Sequence, residues 1–174
     1  MNDNAHQLPV SQIGNKSNPK FVILLANPAR DPNEYEDFPE YKMGDKYKAE
    51  GMQFNVFRQY CDWWDTLLKI TDEYNINDSY ICSLDYYPYH TQGSKLIPKK
   101  DNWDSYSLKR LEENKSILSE LKGKGIPVFA YYWGHWLKEI PELKNYPKFY
   151  QSKNGWKNTK RKELRNFLDI YFKK

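Results

Sequence analysis

Short apolar runs alternate with longer stretches of mixed character along this sequence. The run from Lys20 to Ala26 is almost continuously apolar, which is typical of a strand buried on both faces. The segments Ser79 to Leu84 and Ile126 to Tyr132 have the same character, and Lys148 to Gln151 is a shorter example. The pattern therefore predicts four short strands.

Apolar residues recur at helical spacing between and after these runs. They are, in chain order, Phe57, Tyr60, Cys61, Trp64, Leu67 and Leu68; then Leu108, Leu111, Leu118 and Leu121; and, from about Thr159, Leu164, Phe167, Leu168, Tyr171 and Phe172. The second helix is expected to end at Lys122-Gly123, and a shorter helix to run from Gly134 to near Leu143. Alternating strands and helices predict an α/β fold of three layers, α/β/α, around a central four-stranded, mostly parallel sheet.

The length of 174 residues predicts one domain, because single domains cluster at roughly 100–200 residues. Residues 1–19 are polar and are expected to form a loose N-terminal segment, with the domain over residues 20–174. The longest apolar run is far shorter than a membrane span, and no secretory signal is evident. Cys61 and Cys82 lack the spacing of a zinc site, and no dimerisation heptad is present. We therefore expect a cytoplasmic monomer without a structural metal.

The chain is rich in aromatic residues, and its charge is unevenly distributed along the sequence. Aromatic residues make up 17% of the chain, so some rings are expected on the surface, where they can stack on bases or sugars. From Leu143 to Lys174 there are 10 Lys/Arg against Glu163 and Asp169, a net charge of +8 within a chain of net charge +4. A basic C-terminal region indicates a polyanionic partner, and the alternative is an ordinary solvated lysine-rich surface.

Polar and aromatic residues follow the predicted strands at their carboxyl ends, where parallel α/β sheets bind ligands. This edge, called the rim below, comprises Asn27, Asp85 to His90, Trp133 to His135 and Gln151 to Asn154. The turn after the first strand lacks the glycines of a dinucleotide-binding loop. The segment Asp85 to His90 holds a carboxylate, three tyrosines and an imidazole. It indicates either a ligand site or an aromatic loop that packs on the core while Asp85 caps a backbone N–H.

Three segments at the rim carry a resemblance to a known family. Leu25 to Ala29 (L-A-N-P-A) is similar to a G-x-N-P-G motif, and Asp85 to Tyr89 (D-Y-Y-P-Y) is similar to N-Y-C-P-L. Tyr150 to Lys153, followed by Gly155-Trp156, takes the place of H-P-S-P and a later G-W. In order and spacing, from Lys20 to Asn166, the chain resembles the uracil-DNA glycosylase superfamily. The pattern is nearest to the single-strand-selective and mismatch-specific branches.

The resemblance implies a monofunctional DNA glycosylase that flips a nucleotide into a pocket at the rim and hydrolyses its N-glycosidic bond. Asn27 would orient the attacking water, and Asp31 is a possible stronger base. Tyr35 or Phe38 would stack on the extruded base. The other rim residues expected to contact the base are Tyr87, Tyr89, Gln151 and Ser152. No metal ion or organic cofactor is implied.

Two departures from the family pattern change what the resemblance implies. The histidine that would stabilise the departing base anion is Tyr150 here, so His90 or His135 would have to supply that donor. Asp85 stands where the family has a base-reading Asn, and an ionised carboxylate only accepts hydrogen bonds. It suits an exocyclic amine, such as cytosine N4–H₂, and disfavours uracil O4. The expected substrate is therefore a non-uracil base, such as a modified cytosine.

The basic C-terminal region is expected to hold DNA phosphates, with strand preference left open. The residues expected to do so are Lys153, Lys157, Lys160, Arg161, Lys162 and Arg165. A role in repair or in phage defence fits this activity. The alternatives are a nucleic-acid-binding module that has lost the chemistry, and an interaction protein whose aromatic rim binds another protein.

Overall fold

A computed structural model describes residues 12–26, 62–89, 97–153 and 157–173 of the chain. The strands are β1 (Gln12–Gly14), β2 (Phe21–Leu25), β3 (Ile81–Asp85), β4 (Val128–Ala130) and β5 (Phe149–Gln151). The α-helices are α1 (Asp62–Asp72), α2 (Ser105–Gly123), α3 (Gly134–Glu139) and α4 (Lys157–Phe172). Short 3₁₀ helices span Asp78–Tyr80, Lys100–Asn102 and Pro141–Asn145.

The strands form one sheet in the order β1-β3-β2-β4-β5. Strands β2 to β5 are mutually parallel, and β1 runs antiparallel to β3. The predicted α/β class and mostly parallel sheet are confirmed, but the sheet has five strands rather than four. The expectation of a loose segment is wrong for Gln12–Gly14, which pair with β3 and are buried. The sequence around Gln12–Gly14 is mostly polar and contains no apolar run that would indicate a strand.

Helices cover both faces of the sheet. Alternate residues of β2 enter two separate cores: Ile23 lies in the core under α1 and α4, and Leu24 in the core under α2 and α3. Every residue of β2 is buried, as its continuous apolar run predicts. No helix in the described ranges combines the length and apolar character of a membrane span.

The helix boundaries follow local capping and breaking signals. Asp104 caps α2 by accepting a hydrogen bond of 2.7 Å from the backbone N–H of Ser107, and α2 ends at Gly123 as predicted. The helix after Gly134 is shorter than predicted. It ends at Glu139, because Pro141 cannot continue an α-helix and begins a 3₁₀ turn instead.

Strand β2 is the point at which the chain reverses its direction across the sheet. It lies between β3 and β4, so the chain passes first to one side of β2 and then to the other. The indole N–H of Trp136 in α3 donates a hydrogen bond of 2.6 Å to the carbonyl of Leu25, the last residue of β2. A doubly wound sheet opens its ligand crevice at such a reversal, beyond the carboxyl ends of the strands.

Candidate functional site

Asp85 ends β3 at the rim and is almost fully buried, with 1% of its surface exposed. It is in register with Leu25 at the end of β2, and paired residues of parallel strands point to the same face. Leu25 belongs to the core under α1 and α4, as does Tyr131, which directly follows β4. The register therefore places Asp85, Leu25 and Tyr131 on one face of the sheet at the rim.

A buried amide network holds the end of β3. The side chain of Asn114, on α2, donates a hydrogen bond of 2.8 Å to the backbone carbonyl of Asp85. Its oxygen accepts a bond of 2.7 Å from Nε2 of Gln12, whose own oxygen accepts one of 3.0 Å from Lys16. Asn114 lies on the buried side of α2 with Leu111 and Leu118. The sequence signal for this network is the position of Asn114, a polar residue at helical spacing from the buried leucines of α2.

Replacing Asn114 with Ala is expected to destabilise the protein. The change removes the partners of two buried groups, Gln12 Nε2 and the carbonyl of Asp85, and each such group costs about 1–3 kcal/mol. Urea titration followed by circular dichroism measures the free energy of unfolding, with Lys109→Ala on the exposed face of α2 as the control. If Asn114→Ala lowers the free energy of unfolding no more than the control does, the buried network does not stabilise the protein as described.

Tyr86, Tyr87 and Tyr89 pack on the opposite side of the sheet from Asp85. Tyr86 and Tyr87 belong to the core under α2 and α3, and Tyr89 packs against it. The rings of Tyr86 and Tyr87 lie 5.1 and 4.8 Å from the ring of Trp103. The structure therefore does not bring Tyr87 and Tyr89 together with Asp85. Their packing matches the alternative of an aromatic loop on the core.

His135 is half-buried and stacks on Tyr86, with ring centroids 4.8 Å apart and planes 17° apart. The hydroxyl of Tyr86 donates to Glu139 across 3.3 Å, and Glu139 is also ion-paired with Lys100 at 2.7 Å. Burial and the nearby Glu139 carboxylate raise the pKa of Tyr86 to about 12, so this phenol stays protonated at neutral pH. His135 is thus part of an aromatic stack on the α2 and α3 side.

The segment expected to contain the last motif divides between core and rim. Tyr150 packs between Phe129 and Phe167, with ring centroids 5.8 Å away in both cases, and its hydroxyl donates to Glu163 across 2.9 Å. Gln151 is exposed, whereas Ser152 is buried. The hydroxyl of Ser152 donates a hydrogen bond of 3.1 Å to the carbonyl of Tyr131.

Lys160 is buried, with 5% of its surface exposed. Its ammonium donates hydrogen bonds of 2.7 Å each to the carbonyl of Tyr131 and to the hydroxyl of Ser152. It also lies over the rings of Tyr131 and Tyr132, 5.0 and 5.5 Å from their centroids. The expectation that Lys160 holds a phosphate is therefore wrong. Lys160 precedes Leu164 and Phe167 at helical spacing, so it falls on the buried stripe of α4.

The other basic residues of this region differ in exposure. Lys153, Arg161 and Lys162 are exposed. Arg165 forms two hydrogen bonds with the carboxylate of Glu73, of 2.6 and 3.2 Å, and so joins α4 to the end of α1 rather than standing free for phosphate. The docking of α4 against α1 creates this pair, which helical spacing within α4 cannot show.

Several predicted site residues lie outside the described part of the chain. They are Asn27, Asp31, Tyr35, Phe38 and His90, together with the side chain of Lys157. Conversely, sequence reasoning missed Tyr131 and Tyr132, at the end of β4. Tyr132 is 43% exposed at the rim, and its ring lies against the ring of Tyr131 and the ammonium of Lys160.

The fold and the rim together define an α/β protein with a doubly wound, mostly parallel sheet. At its carboxyl ends, a buried carboxylate and a buried ammonium lie near the central strand. No protein-family model and no curated protein matches the sequence. Within residues 12–26, 62–89, 97–153 and 157–173, no group of three His, Cys, Asp or Glu side chains is arranged to hold a metal ion.

Proposed function

We propose that this protein is a monomeric, cytoplasmic DNA glycosylase that hydrolyses the N-glycosidic bond of a base carrying an exocyclic amine, such as a modified cytosine. The observation that carries the proposal is the buried Asp85 carboxylate at the carboxyl end of β3, beside the point where the sheet reverses. Ligands of doubly wound sheets bind at this position. The order of the rim motifs along the chain, which resembles that of the uracil-DNA glycosylase superfamily, also supports the proposal.

Asp85 is suited to recognising an amine. Its backbone is held by Asn114, and its register with Leu25 directs the carboxylate to the α1 and α4 face. An ionised carboxylate offers only acceptors, so it favours an N–H₂ group and repels a carbonyl oxygen. Cytosine and adenine present such an amine, whereas uracil presents O4 at the corresponding place.

The proposed reaction needs water, an orienting group and a base that can leave. Water attacks C1′ of the sugar, the bond from C1′ to the base nitrogen breaks, and the electron pair leaves with the base. Asn27 orients the water and Asp31 accepts its proton in this proposal. A positioned water contributes because orientation removes part of the entropic barrier. Neither a metal ion nor an organic cofactor takes part.

The DNA backbone would be held by exposed cations near the rim. Lys153 lies at the rim two residues after β5, and Arg161 and Lys162 lie on the first half of α4. Phosphate contacts of this kind release counterions, so binding should weaken steeply with salt. They set affinity and position, while Asp85 sets the choice of base.

Base release tests this function directly. The purified protein is incubated with genomic DNA containing ordinary cytosine and with DNA containing 5-hydroxymethylcytosine, and freed bases are identified by mass spectrometry. We expect a free amino-bearing base together with alkali-sensitive abasic sites. Asn27→Ala should lose the release and keep salt-sensitive DNA binding.

A second candidate function is a DNA-binding module without catalysis. The observation that favours it is Tyr150, whose hydroxyl is committed to Glu163 and whose ring is packed against Phe129 and Phe167. Tyr150 therefore cannot donate to a departing base as the family's histidine would. If no base is released from any of the DNAs while DNA binding is retained, the protein is a binding module and not a glycosylase.

A further inference from the structure

We infer that Lys160 is the cationic group that stabilises the negative charge on the departing base. The inference rests on the proposed function and supplies the donor that Tyr150 cannot provide. It is drawn from the position of the ammonium, which is buried at the carboxyl end of β4 between the carbonyl of Tyr131 and the hydroxyl of Ser152.

The placement of Lys160 matches a base that enters beside Asp85. Strands β3 and β4 flank β2, so the backbones of Asp85 and Tyr131 lie roughly 9.5 Å apart, twice the usual strand spacing. Asp85 and Tyr131 are on the same face, and the ammonium of Lys160 is bonded to the carbonyl of Tyr131. A single-ring base just beyond the Leu25 side chain, past the end of β2, would thus meet an acceptor on one side and a cation on the other.

The hydrogen bonds of Lys160 leave capacity for a ligand. An ammonium carries three N–H donors. Among the described residues, two acceptors, the Tyr131 carbonyl and the Ser152 hydroxyl, each take one. The remaining donor suits a carbonyl oxygen such as cytosine O2, while the amine of the same ring would face Asp85. An amino-oxo pyrimidine therefore fits both groups at once.

The chemistry of the leaving group explains why a cation is needed there. When the N-glycosidic bond breaks, both electrons remain on the base, which departs as an anion. Away from bulk water, a fixed cation stabilises such developing charge far more than it would in solution. Lys160 is held in place by its two bonds before the substrate arrives, so it needs little reorganisation during the reaction.

The electrostatic surroundings of Lys160 make its role testable by pH. Burial lowers the pKa of Lys160, and the carboxylate of Glu163, one turn along α4, opposes that shift. Among the described residues, the other titratable or charged groups on this side are Tyr131 and Tyr132, whose rings lie against the ammonium, Tyr150, which bonds to Glu163, and Asp85 across the end of β2. If the protonated lysine acts, base release falls as pH rises through the pKa of Lys160.

Single-turnover base release from 5-hydroxymethylcytosine DNA tests the inference. Lys160→Met should lower the rate by about 100-fold, the scale of losing one fixed donor to a developing anion. The control is Lys109→Met, the same change at an exposed position of α2, which should leave the rate unchanged. Circular dichroism and binding to DNA with a tetrahydrofuran abasic site show whether the variants fold and hold DNA.

Two conservative variants separate a catalytic charge from a structural one. Lys160→Arg keeps a cation at all accessible pH, so the alkaline fall of the rate should disappear. Glu163→Gln keeps an acceptor for Tyr150 but removes the opposing charge, so the fall should move to lower pH. A purely structural lysine would leave both pH profiles like that of the wild type.

The outcomes distinguish this inference from the proposed function. A wild type that releases no base from any DNA overturns the glycosylase and this role together. An active wild type with Lys160→Met as fast as Lys109→Met overturns only the role of Lys160. If the rate of Lys160→Arg still falls as pH rises, the role of Lys160 is likewise overturned. This outcome holds even if Lys160→Met does not fold.

Discussion

Replacing Asp85 with Asn should change which base the protein releases. The ratio of the release rate for 5-hydroxymethylcytosine to that for uracil is expected to fall by roughly 5- to 150-fold, which corresponds to about 1–3 kcal/mol for a mismatched buried acceptor. The amide offers uracil O4 a donor that the carboxylate lacks. Because Asp85 is 1% exposed, solvent cannot relieve the mismatch in the wild type.

The measurement uses matched oligonucleotides with a single 5-hydroxymethylcytosine or uracil, under single-turnover conditions. Asp101→Asn, the same change at an exposed position of the Lys100–Asn102 turn, is the control and should leave the ratio as it is. A 5-hydroxymethylcytosine-to-uracil ratio that is the same in Asp85→Asn as in the wild type, or a wild type that releases uracil as fast as 5-hydroxymethylcytosine, would refute the role of Asp85 in choosing the base.

Replacing Phe167 with Ala should produce a large loss of stability, about 3–5 kcal/mol in the free energy of unfolding. Phe167 is fully buried in α4, and its ring lies 5.4 Å from that of Phe21 on β2 and 5.3 Å from that of Phe129 on β4. Truncation leaves a cavity where the helix meets the sheet. The same contact positions Lys160 two turns earlier in α4, so the variant should also lose base release.

Urea denaturation monitored by circular dichroism gives the free energy of unfolding of each variant. Ile170→Ala is the matched control, because Ile170 lies on the same helix and is 61% exposed. It should stay within about 0.5 kcal/mol of the wild type. If Phe167→Ala cost less than about 1 kcal/mol, α4 would not pack on the sheet as described.

The parallel strands were predictable because their signal is local. The runs around β2, β3 and β4 are apolar on both faces, as strands buried between two helical layers must be. Strand β1 was not predictable. Its Gln12 is buried through a hydrogen bond to Asn114, 102 residues away in sequence, and no local pattern reports such a partner.

The charged residues of α4 show where residue type misleads. Lysine is almost always a surface residue, so residue type alone groups Lys160 with Arg161 and Lys162 as a phosphate contact. Its spacing from Leu164 and Phe167 nevertheless put it on the inward stripe of the helix. Lys160 can be buried because its ammonium donates hydrogen bonds of 2.7 Å to the backbone carbonyl of Tyr131 and to the hydroxyl of Ser152.

The sequence by itself determined the α/β class, the four parallel strands and the approximate positions of the helices, because runs and spacings of apolar residues act over a few neighbouring residues. Only the tertiary structure decided which polar groups meet. It joined Asp85 to Asn114 and Lys160 to Ser152, and it set Arg165 against Glu73. These pairs depend on strand register and helix docking. Both are set by burial summed over the whole chain, so no short segment contains the information.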